Sequence, residues 1–249
     1  MHNTQSMVVD IRRVASAHGM ILFDASLLPQ ATPESCGPDM WADAQPLGGR
    51  GGRGAALLVR GPFGEGVLRH YRRGGLVGRC NQDSYLFLGE SNVRCVREFR
   101  LLVELHRRGL PVPQPVFARW QRRGLFYRAD LLTRLVPAAR TLAECLQQAR
   151  DRVPWRLIGA TIARFHHEGV FHADLNAHNI LLDAPGSIWL IDFDRGRLRR
   201  SARAWQEANL RRLQRSLDKL GGVSGQEWGE LRDAYDAAMD QAAAAAGGR

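Results

Sequence analysis

The sequence predicts an α+β chain of two lobes, a small β-sheet with one helix followed by a mainly helical lobe, and three observations carry that prediction. Its 249 residues leave room for one large domain or two small lobes sharing a core. Residues 48–71 alternate short apolar runs with glycine-rich turns, as antiparallel strands do. Segments 93–108 and 155–165 instead space their apolar residues at three and four, as helices with one buried face do. At 45% hydrophobic and 24% charged, the composition is globular and excludes disordered, fibrous and collagen-like chains.

Residues 1–45 are weakly patterned, with helix-like apolar positions around Val8 to Ile11 and a proline-containing run from Pro29 to Pro46, and read as an N-terminal extension. The N-lobe is expected over 46–133. Gly48 to Gly54 reads GGRGGRG; Ala55 to Val59 and Val67 to Tyr71 are strand-like, with the turn GPFGEG between them. Val96, Phe99, Leu102, Val103 and Leu105 share one helical face that ends at Gly109. Pro111, Pro113 and Pro115 then force an extended segment, because proline fixes φ and disfavours a helical residue before it. Phe126 to Leu132 is a further strand, and Thr133 to Ala139 connects it to a C-lobe expected over 134–249. There Pro154 suits a first helical turn, Trp155, Ile158, Ile162 and Phe165 follow at helical steps, and Gly169 closes the helix. Ile180 to Leu182 and Ile188 to Ile191, joined by Asp183-Ala-Pro-Gly, read as a hairpin. Beyond Asp194 the pattern is helical to about Leu220, and the alanine run 242–246 reads as a fraying tail.

Charge is unevenly placed. The net +10 is carried by residues 46–123, where fifteen arginines stand against five acids. Such a field favours an anionic partner, whether nucleic acid, phosphorylated lipid or nucleotide, although a coding bias toward arginine would raise the count without function. Nucleic acid is not expected, since the basic segments carry few interleaved aromatics. No run approaches about 18 apolar residues, and the N-terminus lacks a basic stretch followed by an apolar one. Neither a membrane span nor a secretory signal is expected. Cys36, Cys80, Cys95 and Cys145 are scattered without metal-binding spacing and read as reduced thiols.

The sharpest constellation is VFHADLNAHNILLDAPGSIWLIDFD, from Val170 to Asp194. Phosphoryl transfer needs a carboxylate to orient the attacking hydroxyl and take its proton, and hard oxygen ligands to hold Mg2+ against a triphosphate. Asp174 suits the first task; Asn179 and Asp192 suit the second, brought to one edge by the hairpin between them. His172 is expected to support the loop rather than act as a base. Asn176 and His178 either position a phosphate or sugar or are solvated loop residues. The order His172-x-Asp174, then Asn179, then Asp192-Phe193-Asp194 resembles the protein-kinase-like superfamily. That resemblance implies a bilobal protein-kinase-like fold binding ATP and Mg2+ between its lobes. The D-F-G glycine is replaced by Asp194, Asn176 stands where protein kinases carry lysine, and no A-P-E follows, which favours a small-molecule or glycolipid hydroxyl as acceptor.

A kinase also needs a glycine-rich cover over the phosphates, for which Gly49, Gly51, Gly52 and Gly54 are candidates, and a cation paired with an acid. Lys219 is the only lysine and lies far downstream, so arginine must replace the usual strand lysine. Strand period puts Val67 and Arg69 on one face, making Arg69 the choice and Arg72 the alternative. Glu98 on the next helix is the expected partner, unless it is an ordinary exposed helix residue.

VLRHYRRGG, HADLNAHNILLD and LIDFDRGR together resemble the bacterial 3-deoxy-D-manno-octulosonic acid (Kdo) kinases, relatives of the lipopolysaccharide core heptose kinases, over about Gly48 to Arg200. That resemblance implies transfer of the ATP γ-phosphate to the 4-hydroxyl of Kdo on a lipid A precursor. It also implies peripheral attachment to the anionic cytoplasmic face of the inner membrane. Arg72, Arg73, Arg79, Arg94, Arg97 and Arg100 are candidates for that contact, with Arg195 to Arg203 near the acceptor headgroup. An aminoglycoside-type phosphotransferase and a nucleotide-binding pseudokinase are the alternatives.

Overall fold

The computed structural model describes residues 9–37, 41, 44–47, 56–71, 84–148 and 150–247. The chain divides into two units, Met1–Arg108 with Pro113–Leu135, and Gly109–Val112 with Val136–Arg249. The division after Leu135 lies two residues from the expected boundary. The 109–112 segment joins the second unit, where the Pro111 carbonyl accepts the Leu190 N–H at 3.0 Å.

The first unit contains β1 (Ile11–Ser16), β2 (Gly19–Asp24), β3 (Gln45–Leu47), β4 (Ala56–Gly61), β5 (Gly64–His70), β6 (Tyr85–Leu86), α1 (Arg94–Arg107), β7 (Pro115–Arg123) and β8 (Phe126–Arg134). They form one antiparallel sheet in the order β1-β2-β7-β8-β5-β4-β3, with β6 also paired to β8. This corrects the reading of residues 1–45 as an extension with helix-like positions around Ile11. Ile11 opens an edge strand, and β2 is a sheet member aligned with β7, Phe23 opposite Phe117. Met20 to Asp24 are buried without a break, so the period-two signal that marks a half-exposed strand is missing there. Ile21, Phe23, Phe117 and Leu132 from the strands pack with Leu28 and Cys36 from the segment after β2. The α1 helix buries Val96, Phe99, Leu102 and Leu105 and lies against β7 and β8. Arg108 N–H returns to the Glu104 carbonyl, and Gly109, at φ 68°, stops the helix.

The second unit contains β9 (Arg140–Thr141), α2 (Leu142–Gln148), α3 (Trp155–His167), β10 (Val170–Phe171), β11 (Ile180–Leu182), β12 (Ile188–Leu190), β13 (Arg197–Leu198), α4 (Arg203–Asp218) and α5 (Gly225–Gly247). The expected hairpin is β11–β12, flanked by β9; β10 pairs with β13. Asp183 makes its turn, accepting from the Ser187 N–H at 2.6 Å and the Trp189 indole at 2.8 Å. Thr141 with Glu144, and Ser224 with Glu227, form reciprocal capping boxes that start α2 and α5. The alanine run is helical through Gly247 rather than frayed.

Candidate active site

In the second unit the loop after β10 is built around His172. Burial lowers its pKa, so the imidazole is neutral at pH 7. Its Nε2 lies 2.9 Å from the Ile191 carbonyl and must donate to it, which leaves Nδ1 to accept the Asp174 N–H at 3.1 Å. The ring thus ties the candidate base to the residue before Asp192. As expected it supports the loop, and both its nitrogens are used in doing so. Phe193, fully buried, stacks on Phe165 at 5.9 Å and lies against His172 at 4.7 Å.

Asp174 presents a half-exposed carboxylate (48%) while its carbonyl accepts from the side-chain amides of Asn176 at 3.0 Å and Asn179 at 2.9 Å. Asn176 is therefore a loop brace, and its Oδ1 also accepts the His178 N–H at 2.8 Å. Asn179 is buried, and with its nitrogen committed to Asp174 its Oδ1 is left as a hard oxygen donor. The Asn179 carbonyl accepts the Ile191 N–H at 3.1 Å, fixing the strand that leads into Asp192. Asp192 itself is left-handed, at φ 63°. One amide oxygen and one carboxylate form a sparse set that fits Mg2+, which keeps several waters and phosphate oxygens, better than a caged ion. Among the described residues no group of three His, Cys, Asp or Glu side chains could hold a metal. The missing D-F-G glycine has a local explanation: the left-handed residues here are Asp192 and Arg195, at φ 63° and 61°, so position 194 accommodates a Cβ.

In the first unit, Arg69 on β5 and Glu98 on α1 meet at 2.5 Å. Glu98 is 2% exposed, a buried carboxylate rather than a surface one. Tyr71 also donates its hydroxyl to Glu98. Burial, and then the charge of Glu98, push the Tyr71 phenol well above its ordinary range, so it stays a donor. Tyr71 was legible in the sequence, two residues beyond Arg69 on the same strand face, but was read only as a strand residue. Gly49, Gly51, Gly52, Gly54 and Arg72 lie outside the described residues, as do Arg73 and Arg79. Of the α1 arginines expected as candidates for contact with an anionic surface, Arg97 and Arg100 are exposed and Arg94 is half-buried. Arg94 stacks over Tyr71 and Tyr85 at 5.5 and 4.8 Å, and Arg100 reaches Glu90 at 3.4 Å. Arg197 and Arg199 lie over the Phe171 ring, at 5.5 and 4.0 Å.

Missed entirely by sequence reasoning is Arg212 on α4, whose Nε donates to Asp174 Oδ1 at 2.8 Å. Its only sequence trace is the absence of a cation at Asn176.

The family described as lipopolysaccharide kinase (Kdo/WaaP) matches residues 39–235. The chain is 49% identical to a 3-deoxy-D-manno-octulosonic acid kinase of Xanthomonas axonopodis pv. citri (strain 306), across 91% of this chain and 93% of that one. It is 47% identical to the protein of the same name from Stenotrophomonas maltophilia (strain K279a), across 90% and 92%. Among solved structures, it is similar to the Rio2 kinase–ADP/Mg2+–phosphoaspartate complex of Chaetomium thermophilum, with a TM-score of 0.47 and 20% identity over 96% of this chain and 76% of that one.

Proposed function

Since the chain belongs to the lipopolysaccharide kinase (Kdo/WaaP) family, we propose that it is an ATP-dependent kinase acting on the 4-hydroxyl of Kdo on a Kdo-lipid A precursor. The observation that carries this reading is the Asp174 carboxylate, half-exposed on a loop whose backbone is held by His172, Asn176 and Asn179. Asp174 orients the acceptor hydroxyl and takes its proton as the oxygen bonds to the γ-phosphorus and the bond to the β-phosphate oxygen breaks, releasing ADP. Asn179 and Asp192 would hold Mg2+, which when bound neutralises charge on the β- and γ-phosphates. Arg69, oriented by Glu98, offers its guanidinium to the nucleotide phosphates; a planar fork replaces the point charge of lysine.

The test is transfer of labelled γ-phosphate from ATP with Mg2+ to a Kdo-lipid A precursor, beside an aminoglycoside and a generic protein. Label on the glycolipid, reduced by several orders of magnitude in Asp174→Ala with nucleotide binding retained, is expected. Label only on another acceptor would discard the substrate, and ATP binding without transfer would favour a pseudokinase.

On this reading the acceptor is a membrane lipid and the enzyme is peripheral to the cytoplasmic face of the inner membrane. No described helix is long and apolar enough to cross a membrane. Support comes from an apolar tip on the sheet: Leu88 and Leu125 are each 67% exposed and Leu86 is 49% exposed. Leu86 pairs across to Phe126, whose other neighbour is Arg123. Apolar side chains beside a cation suit the surface of an anionic bilayer. Co-sedimentation with vesicles containing anionic lipid at low salt should succeed and fall several-fold in Leu88→Ser/Leu125→Ser. A protein indifferent to such vesicles would end the idea.

A further inference from the structure

The loop that carries Asp174 brings no cation of its own, since Asn176 occupies the position where a lysine would sit. The fold supplies one from 38 residues downstream, Arg212, whose Nε and one terminal nitrogen both donate to the same oxygen, Asp174 Oδ1. Among the described residues Oδ2 accepts no hydrogen bond. Arg212 belongs to a stripe on α4. Asn209 Oδ1 accepts the His172 N–H at 3.3 Å, and Ser216 Oγ accepts the Ala177 N–H at 3.1 Å. Positions 209, 212 and 216 are spaced three and four apart, one helix face gripping the loop at its start, its carboxylate and its far side. Leu210, Leu213 and Leu217, all buried, hold α4 in place.

We propose that Arg212 is a positioning residue for phosphoryl transfer, fixing the Asp174 carboxylate through Oδ1 so that Oδ2 is presented to the acceptor hydroxyl. The proposal rests on Asp174 being the base. A half-exposed aspartate otherwise turns freely about two bonds, whereas proton abstraction needs its oxygen within about 2.6–3.2 Å of the hydroxyl. A misplacement of about 1 Å costs roughly a hundredfold in rate. Both partners are nearly half exposed, 46% and 48%, so the pair contributes little to fold stability.

The experiment is steady-state kinetics on Arg212→Met, Arg212→Lys, Asp174→Ala and the Arg212→Met/Asp174→Ala double variant, with ATP and the Kdo glycolipid. Arg212→Met should lower kcat about 10- to 100-fold with KM for ATP within about twofold and an unchanged melting temperature. Arg212→Lys, which keeps charge but not the paired donors, should recover part of the loss and covers the case in which the methionine variant does not fold. In the Asp174→Ala background, Arg212→Met should change nothing further. An additional loss there would mean Arg212 meets donor or acceptor directly, and wild-type kcat in both single Arg212 variants would remove it from the mechanism. Wild-type turnover by Asp174→Ala would overturn the base assignment, and this proposal with it, a result the Arg212 variants cannot mimic.

Discussion

Glu98 is a carboxylate almost wholly out of water, and the donors that keep it tolerable include the Arg69 guanidinium and the Tyr71 hydroxyl. Removing one member of a buried ion pair strands the other, whereas removing both also removes the desolvation problem. Arg69→Met should therefore lower the unfolding free energy by about 3–5 kcal/mol, and Arg69→Met/Glu98→Gln should restore most of it, as read by urea denaturation. A single variant losing less than about 1 kcal/mol, or a double variant as unstable as the single, would show that the pair is not buried in this sense. The pairing was legible because strand period put Arg69 on one face of its strand and the resemblance to kinases called for an acid on the next helix; the burial of Glu98 was not legible. Arg212 was not, because no local rule links a carboxylate on a loop to a guanidinium on a helix 38 residues later.

Among the elements, α3 meets α5 at Gly159, where a Cβ would run into the Leu231 carbonyl. A glycine inside a helical pattern reads first as a weakness, about 1 kcal/mol worse than alanine. The competing reading, close approach of another backbone, wins here because the obstacle is a carbonyl fixed in α5 rather than a side chain that can swing aside. Gly159→Ala gains about 1 kcal/mol of helix propensity, but a Cβ 2.1 Å from a fixed carbonyl puts the overpacking cost at the upper end of its range, about 3 kcal/mol. A net loss near 2 kcal/mol in chemical denaturation is expected; a variant as stable as the parent would mean the helices can separate freely. The apolar positions of α3 were legible from Trp155, Ile158, Ile162 and Phe165, but its partner was not, since α5 carries a long alanine tract with weak facing.

Over the whole chain, the α+β class and a sheet-rich first part before a mainly helical second one followed from periodicity. Sheet order did not, because β2–β7 and β5–β8 pair residues far apart in sequence and no local pattern selects them. A second global property invisible in the sequence is how stability responds to acid. His166 on α3 meets the Tyr235 hydroxyl of α5 at 2.8 Å, and burial lowers its pKa from 6.5 to about 4. Burial lowers His172 in the same direction. The unfolded chain takes up these protons as pH falls through 6.5 while the fold refuses them, so the unfolded state binds more protons and stability drops with pH. For His166 the loss begins near pH 6.5, is complete near pH 4, and amounts to about 3 kcal/mol. Glu227 acts in a lower window: its hydrogen bond from Arg150, then the Ser224 N–H, hold its pKa at about 2. Its contribution is present above 4.5 and lost below. His166→Gln should therefore flatten the decline between pH 6.5 and 4, apart from the part due to His172, while leaving the loss due to Glu227 below pH 4.5 in place. Thermal melts across pH 7 to 3 separate the two windows. If the variant and the parent lost stability in parallel between pH 6.5 and 4, the acid sensitivity of this fold would lie elsewhere than in His166.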